Sequence, residues 1–191
     1  MRLITHLHRI SRLCAGFTGA GYLLVALFTT ADVLLRKWFN SPLIGVEEVS
    51  GYVFAVSTVW GFSYCLFERV HVRIDAGYQM LPAPARAWLD ALALLALLSF
   101  VSMLSWRAWG TLAETLEYQS TSLTSLQTPM WIPQSLWVAG FAFLFASNVA
   151  LLLAALAALA GRRYDQVQRL AGIPSATDEA FGQAARAKGE S

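Results

Sequence analysis

Charge is what this chain has least of: 191 residues hold 14 Lys and Arg and 12 Asp and Glu, beside a hydrophobic share of 57%. Soluble domains carry about 25% charged residues, so an ordinary soluble domain is excluded. Cysteine is nearly absent. Cys14 and Cys65 form no C-x-x-C pair, which excludes a disulfide framework, a thiolate metal cage and the paired cysteines of a four-span redox protein. There is no Gly-rich phosphate loop, no H-E-x-x-H, no G-x-S-x-G and no carboxylate pair placed for acid and base work, so the chain reads as no enzyme. His6, His8 and His71 fall outside the apolar runs, which excludes a bis-histidine haem, and His6 and His8 read as water-exposed surface. A net charge of +2 without a zinc-finger or RNA-binding signature excludes nucleic acid as a partner.

What is present is apolar length, with a mean hydropathy of +0.51. No Asp, Glu, Lys or Arg occurs from Tyr118 through Gly161, and shorter uncharged runs cover Leu13 to Ala31, Val49 to Phe67 and Ala91 to Trp106. A hydrocarbon core of about 30 Å needs roughly 20 apolar residues as helix, because lipid leaves each backbone group to be satisfied within its own segment. The fold class is therefore all-α, an integral membrane protein with four transmembrane helices, spans at about 13–35, 47–67, 86–109 and 131–160. Residues 1–161 form the membrane domain and 162–191 a polar cytoplasmic tail, helical near Tyr164 to Leu170. The apolar core of the first span is too long for a cleaved signal peptide. Six of the seven tryptophans, Trp60 excepted, fall near predicted interfaces. Pro133 sits in the first turn of span four, where its missing N–H costs nothing.

Lys and Arg fix the direction. Arg2, Arg9, Arg12, Arg69, Arg73, Arg86, Arg162, Arg163 and Arg169 fall on one side, against Arg36, Lys37 and Arg107 on the other. The positive-inside bias then puts both termini in the cytoplasm. Arg36 and Lys37 dissent, and the segment around Trp38 and Phe39 reads as a short interfacial piece with its cations snorkelling. Asp32, Glu47, Glu48, Asp90, Arg107 and Glu114 lie within a turn or two of span ends and read as solvated or headgroup-facing. Ala142, Ala146, Ala150, Ala154 and Ala158 recur every fourth residue along span four. Such a small-residue ridge lets helices approach closely, either inside the bundle or against a partner helix.

Glu47 and Glu48 open span two, and Glu68-Arg69-Val70-His71-Val72-Arg73-Ile74-Asp75 follows it at once. This pattern resembles the small membrane subunit of tripartite ATP-independent periplasmic (TRAP) transporters, with four spans, termini inside and an acidic residue where span two begins. Thr128-Pro129-Met130-Trp131-Ile132-Pro133 followed by Gly140 is similar to the family's proline-led start of span four, with Val138 where a second proline is frequent. The match runs from about Leu13 to Ala160.

The resemblance implies a division of labour. A large multi-span subunit carries the sodium and substrate sites, a soluble periplasmic solute-binding protein delivers a carboxylate-bearing organic acid, and the small subunit braces the scaffold and helps dock the binding protein. It implies symport on a sodium gradient used by the partner subunit, no cofactor in this chain, and a multi-pass place among the lipids of a bacterial inner membrane. By the same resemblance Arg69, His71 and Asp75 hold a loop or contact the large subunit. Glu47 and Glu48 are either carboxylates favoured by the helix macrodipole or a salt-bridging point for a partner. The rival reading is a stand-alone small tetraspan channel or exporter, for which Ser57, Thr58 and Ser63 are the available polar lining.

Overall fold

The structure, a computed structural model, describes residues 2–41, 43–69, 78, 80–124 and 126–172. Among them the regular secondary structure is all helix, with one isolated bridge, Thr121 with Pro129, in the loop before the last long helix. Four helices are long and apolar enough to cross a membrane: α1 (Arg2–Phe39), α2 (Val46–Phe67), α3 (Ala83–Tyr118) and α4 (Trp131–Ala160). A short fifth, α5 (Tyr164–Ala171), provides the helix expected over Tyr164 to Leu170. At about 1.5 Å per residue α2 is just long enough to span, whereas α1 and α3 overrun the hydrocarbon region by several turns. The separate interfacial piece expected around Trp38 is instead the last turn of α1, which continues unbroken to Phe39.

Pairings across the helices set their order. His8 meets Glu68, Tyr22 meets Thr58 and Thr29 meets Ser50, so α1 and α2 run antiparallel. Tyr52 meets Met130 and Trp60 meets Leu136, so α2 and α4 run parallel. The helices stand in the row α1, α2, α4, α3, with α4 as the hub and no substantial contact between α1 and α3 among the described residues. A row is allowed because lipid tails match apolar side chains in polarity, leaving no hydrophobic penalty on an open edge.

The main core lies between α3, α4 and α5. Ala87, Ala91, Leu94 and Val101 of α3 pack on Leu144, Leu151, Ala155 and Leu159 of α4, and Val167 of α5 closes the layer with no exposed surface. A smaller cluster joins Val59, Ala108 and Phe141. By contrast α1 buries almost nothing apolar, and Phe17, Leu23, Leu27 and Phe28 stand outside.

Candidate functional site

Polar side chains gather at the two ends of the helix row. At one end α1 stops, α2 begins and the α3–α4 loop folds over. Arg36 and Lys37 occupy the last turn of α1, where the helix carbonyls favour cations. Arg36 Nη2 donates to Asp32 Oδ2 at 2.9 Å, one turn back, and lies 3.8 Å from Glu47 Oε1. The Leu43 N–H donates to the other Asp32 oxygen at 2.7 Å. Asp32, expected to be solvated, is only 4% exposed: one oxygen accepts from Arg36 within α1 and the other from Leu43 N across the α1–α2 turn. Thr29, Asp32, Arg36, Lys37, Glu47 and Ser50 line an open cavity of about 560 Å³ there.

The two neighbouring glutamates diverge. Glu47 points outward with 89% of its side chain exposed. Glu48, one helical step on, accepts hydrogen bonds from the Tyr52 hydroxyl at 2.7 Å and from the Thr124 hydroxyl of the α3–α4 loop. That loop is itself ordered by backbone bonds from Ser122 N to Thr128 O (2.9 Å) and from Met130 N to Ser120 O (3.1 Å). It also leans on Gly45, whose φ of 86° is a glycine conformation and where a Cβ would run into the Leu126 side chain.

The opposite end is tied differently. His8 Nε2 lies 3.1 Å from Glu68 Oε1, and its ring stacks on Phe67 with centroids 5.5 Å apart, so His8 is a helix-pairing residue and not the loose surface expected. Arg69 takes a left-handed φ of 58° and donates to the Gln168 and Gly172 carbonyls at the C-terminus of α5. Asp90, also expected to be solvated, is 1% exposed and accepts from the Tyr78 hydroxyl at 2.7 Å. His71 and Asp75 lie outside the described residues.

Between the ends the contacts are mostly apolar, although Ser63, Ser147 and Asn148 are fully buried there with no side-chain hydrogen-bond partner among the described residues. Gly140 lets α2 and α4 approach closely: a Cβ there would meet Val59 and Trp60 at 3.0 Å. Trp60 Nε1 donates to the Leu136 carbonyl at 3.0 Å, and its ring stacks on Phe143. Pro133 occupies the first turn of α4, beside the exposed Trp131. The alanine ridge does not coincide with the packed face of α4. Ala142 and Ala146 are exposed, Ala150 and Ala154 half-buried, and only Ala158 is enclosed. A groove of about 510 Å³ between α1, α2 and α4 is lined almost wholly by apolar atoms, Phe17, Val56, Trp60 and Pro133 among them.

Sequence reasoning placed Asp32 at a span end but read it as solvated, and it missed Tyr52, Thr124 and Gly45. The i,i+4 spacings of Asp32 with Arg36 and of Glu48 with Tyr52 were available signals. Thr124 had none, since its partner lies on another helix. Among the described residues no group of three His, Cys, Asp or Glu side chains converges to hold a metal. The polar groups at either end make hydrogen bonds and ion pairs, the chemistry of holding loops and meeting partners.

The family model for tripartite ATP-independent periplasmic transporters, DctQ component, matches residues 25–162. Neither a curated protein nor a solved structure matches the chain. The family match takes in α2, α3, α4 and the end of α1, together with the Asp32 and Glu48 ties and the ridge. A multi-pass, all-helical chain whose polar residues bind its own ends together, and which matches this family over most of its length, belongs to the DctQ component family of TRAP transporters.

Proposed function

We propose that this chain is the scaffold subunit of its transporter, set in a bacterial inner membrane with both termini in the cytoplasm. It braces the large transport subunit and contributes part of the surface on which the periplasmic binding protein docks. The system imports an organic acid by symport, and the large subunit uses the sodium gradient. The observation that carries this reading is where the polar groups go. The Thr58 hydroxyl bonds to Phe54 O and the Tyr22 hydroxyl, Ser57 faces Gly21, and the carboxylates of Asp32 and Glu48 tie up turns. A transport cycle needs differential contacts with its solute in two states; Thr58, Asp32 and Glu48 already have other partners, while Ser57 is buried beside α1 and Ser63 is fully enclosed. An exposed apolar α1 and an outward ridge on α4 are what a brace needs, because helix association in lipid runs on close packing.

Reconstitution tests it. The purified chain in vesicles under an inward sodium gradient should move no labelled organic acid, and addition of the large subunit and the binding protein should restore uptake. Flux from the isolated chain, lost on Ser57→Val or Thr58→Val, would promote the channel reading.

A further inference from the structure

We infer that Glu48 is the positioning residue of the docking surface: by accepting hydroxyl hydrogen bonds from its own helix and from the α3–α4 loop, it holds that loop in one conformation before any partner arrives. The inference rests on the docking role proposed above and goes beyond it in naming the loop and the residue that shapes it. The loop runs from the left-handed Gln119 that ends α3 to Met130 before α4. It has two independent holds on α2. One is polar: Glu48 takes the Tyr52 and Thr124 hydroxyls, and the hydroxyls of Ser122 and Thr128 also act on it. The other is steric, since Leu126 packs where Gly45 lacks a side chain. Tyr52 extends the polar hold to the first turn of α4, its oxygen 3.2 Å from Met130 Sδ. At the tip Leu123 is fully exposed, and Ser122 caps the turn with its oxygen 3.0 Å from the Thr124 hydroxyl.

This geometry assigns the two adjacent glutamates different work. Glu47 is outward and highly exposed, 3.8 Å from Arg36, whereas Glu48 spends its carboxylate on hydroxyls inside the chain. Serine and threonine loops offer many local hydrogen-bonding alternatives to one fixed backbone. A charged acceptor that gathers the loop's hydroxyls removes those alternatives. A partner that binds a prefolded loop is spared the ordering entropy, which otherwise subtracts directly from affinity.

The test uses the chain assembled with its large subunit in nanodiscs, a spin label at Leu123→Cys in a background where Cys14 and Cys65 are serine, and the cognate binding protein titrated against it. Glu48→Ala should sharpen the label spectrum toward a mobile loop and raise the docking Kd about tenfold, the scale expected for losing a hydrogen bond to a charged acceptor. Thr124→Val, which leaves α2 untouched, should move both signals the same way, and the double variant should be no worse than Glu48→Ala alone. Glu48→Gln, which keeps one acceptor oxygen, should recover part of both signals. An unchanged spectrum in Glu48→Ala overturns the inference, even if docking weakens, because Glu48 would then be a contact and not a positioning residue. A loosened loop with undiminished docking overturns it equally. If the unaltered complex captures no binding protein while its loop still responds to Glu48, the docking reading itself fails and the inference fails with it.

Discussion

Asp32 shows how a single carboxylate can join the end of one membrane helix to the turn that follows it. It sits at the end of a span, almost without exposed surface, and is matched by one guanidinium and one backbone N–H. Arg36 is half exposed and keeps its contact with water, so the cost of losing the carboxylate falls chiefly on the Leu43 N–H, which loses its acceptor. Asp32→Ala should therefore release Leu43 N and free Arg36, lowering stability by about 2 kcal/mol. Asp32→Asn, which keeps an acceptor for Leu43 N, should lose less. Thermal unfolding in detergent, with limited proteolysis at the α1–α2 turn, separates the two variants. Equal melting temperatures for the original chain and Asp32→Ala would mean that the turn stands without the carboxylate.

At the scale of the element, α4 carries two faces with different uses. Ala155 is fully enclosed against α3, whereas Ala146 on the ridge is exposed. Ala155→Phe forces a ring into a packed layer and should cost the chain itself about 1 to 3 kcal/mol. Ala146→Phe should leave the isolated chain's melting unchanged and reduce co-purification with the large subunit. Retained assembly would assign that ridge to lipid. The four long helices were legible in the sequence because gaps between charges mark them directly: the uncharged stretch from Tyr118 to Gly161 contains all of α4. The arrangement of the helices was not. Period-four alanines announce close packing on some face, but the buried face of α4 runs through Gly140, Leu144, Asn148 and Ala155 instead. Span-end carboxylates were legible as positions and not as roles. Whether Asp32, Glu47, Glu48 or Asp90 meets water depends on loops that return from distant parts of the chain, as Thr124 does to Glu48 across 76 positions.

On the scale of the whole molecule, the two ends of the helix row differ in their ties and in their charge. One end carries Asp32, Glu47 and Glu48 with the α3–α4 loop, and the other carries Arg9, Arg12, Arg69, Arg86, Arg162 and Arg163 beside α5. Cationic ends are retained on the cytoplasmic side during insertion, and anions contribute little to that choice. The end with Glu48 should therefore face the periplasm. A reporter fused after Ser191 should be active only in the cytoplasm, and one inserted near Ser120 only in the periplasm. Arg36 and Lys37 oppose the bias, yet Asp32 already pairs with Arg36, and Glu47 lies within 3.8 Å of it. Converting Asp32 and Glu47 together to neutral amides would leave Arg36 without either carboxylate. The two reporters should still show a single topology, as they should for the same change at Glu114 and Glu117, because anions contribute little to orientation. A single periplasmic signal near Ser120 in both variants would mean that the cations at the opposite end set the orientation alone.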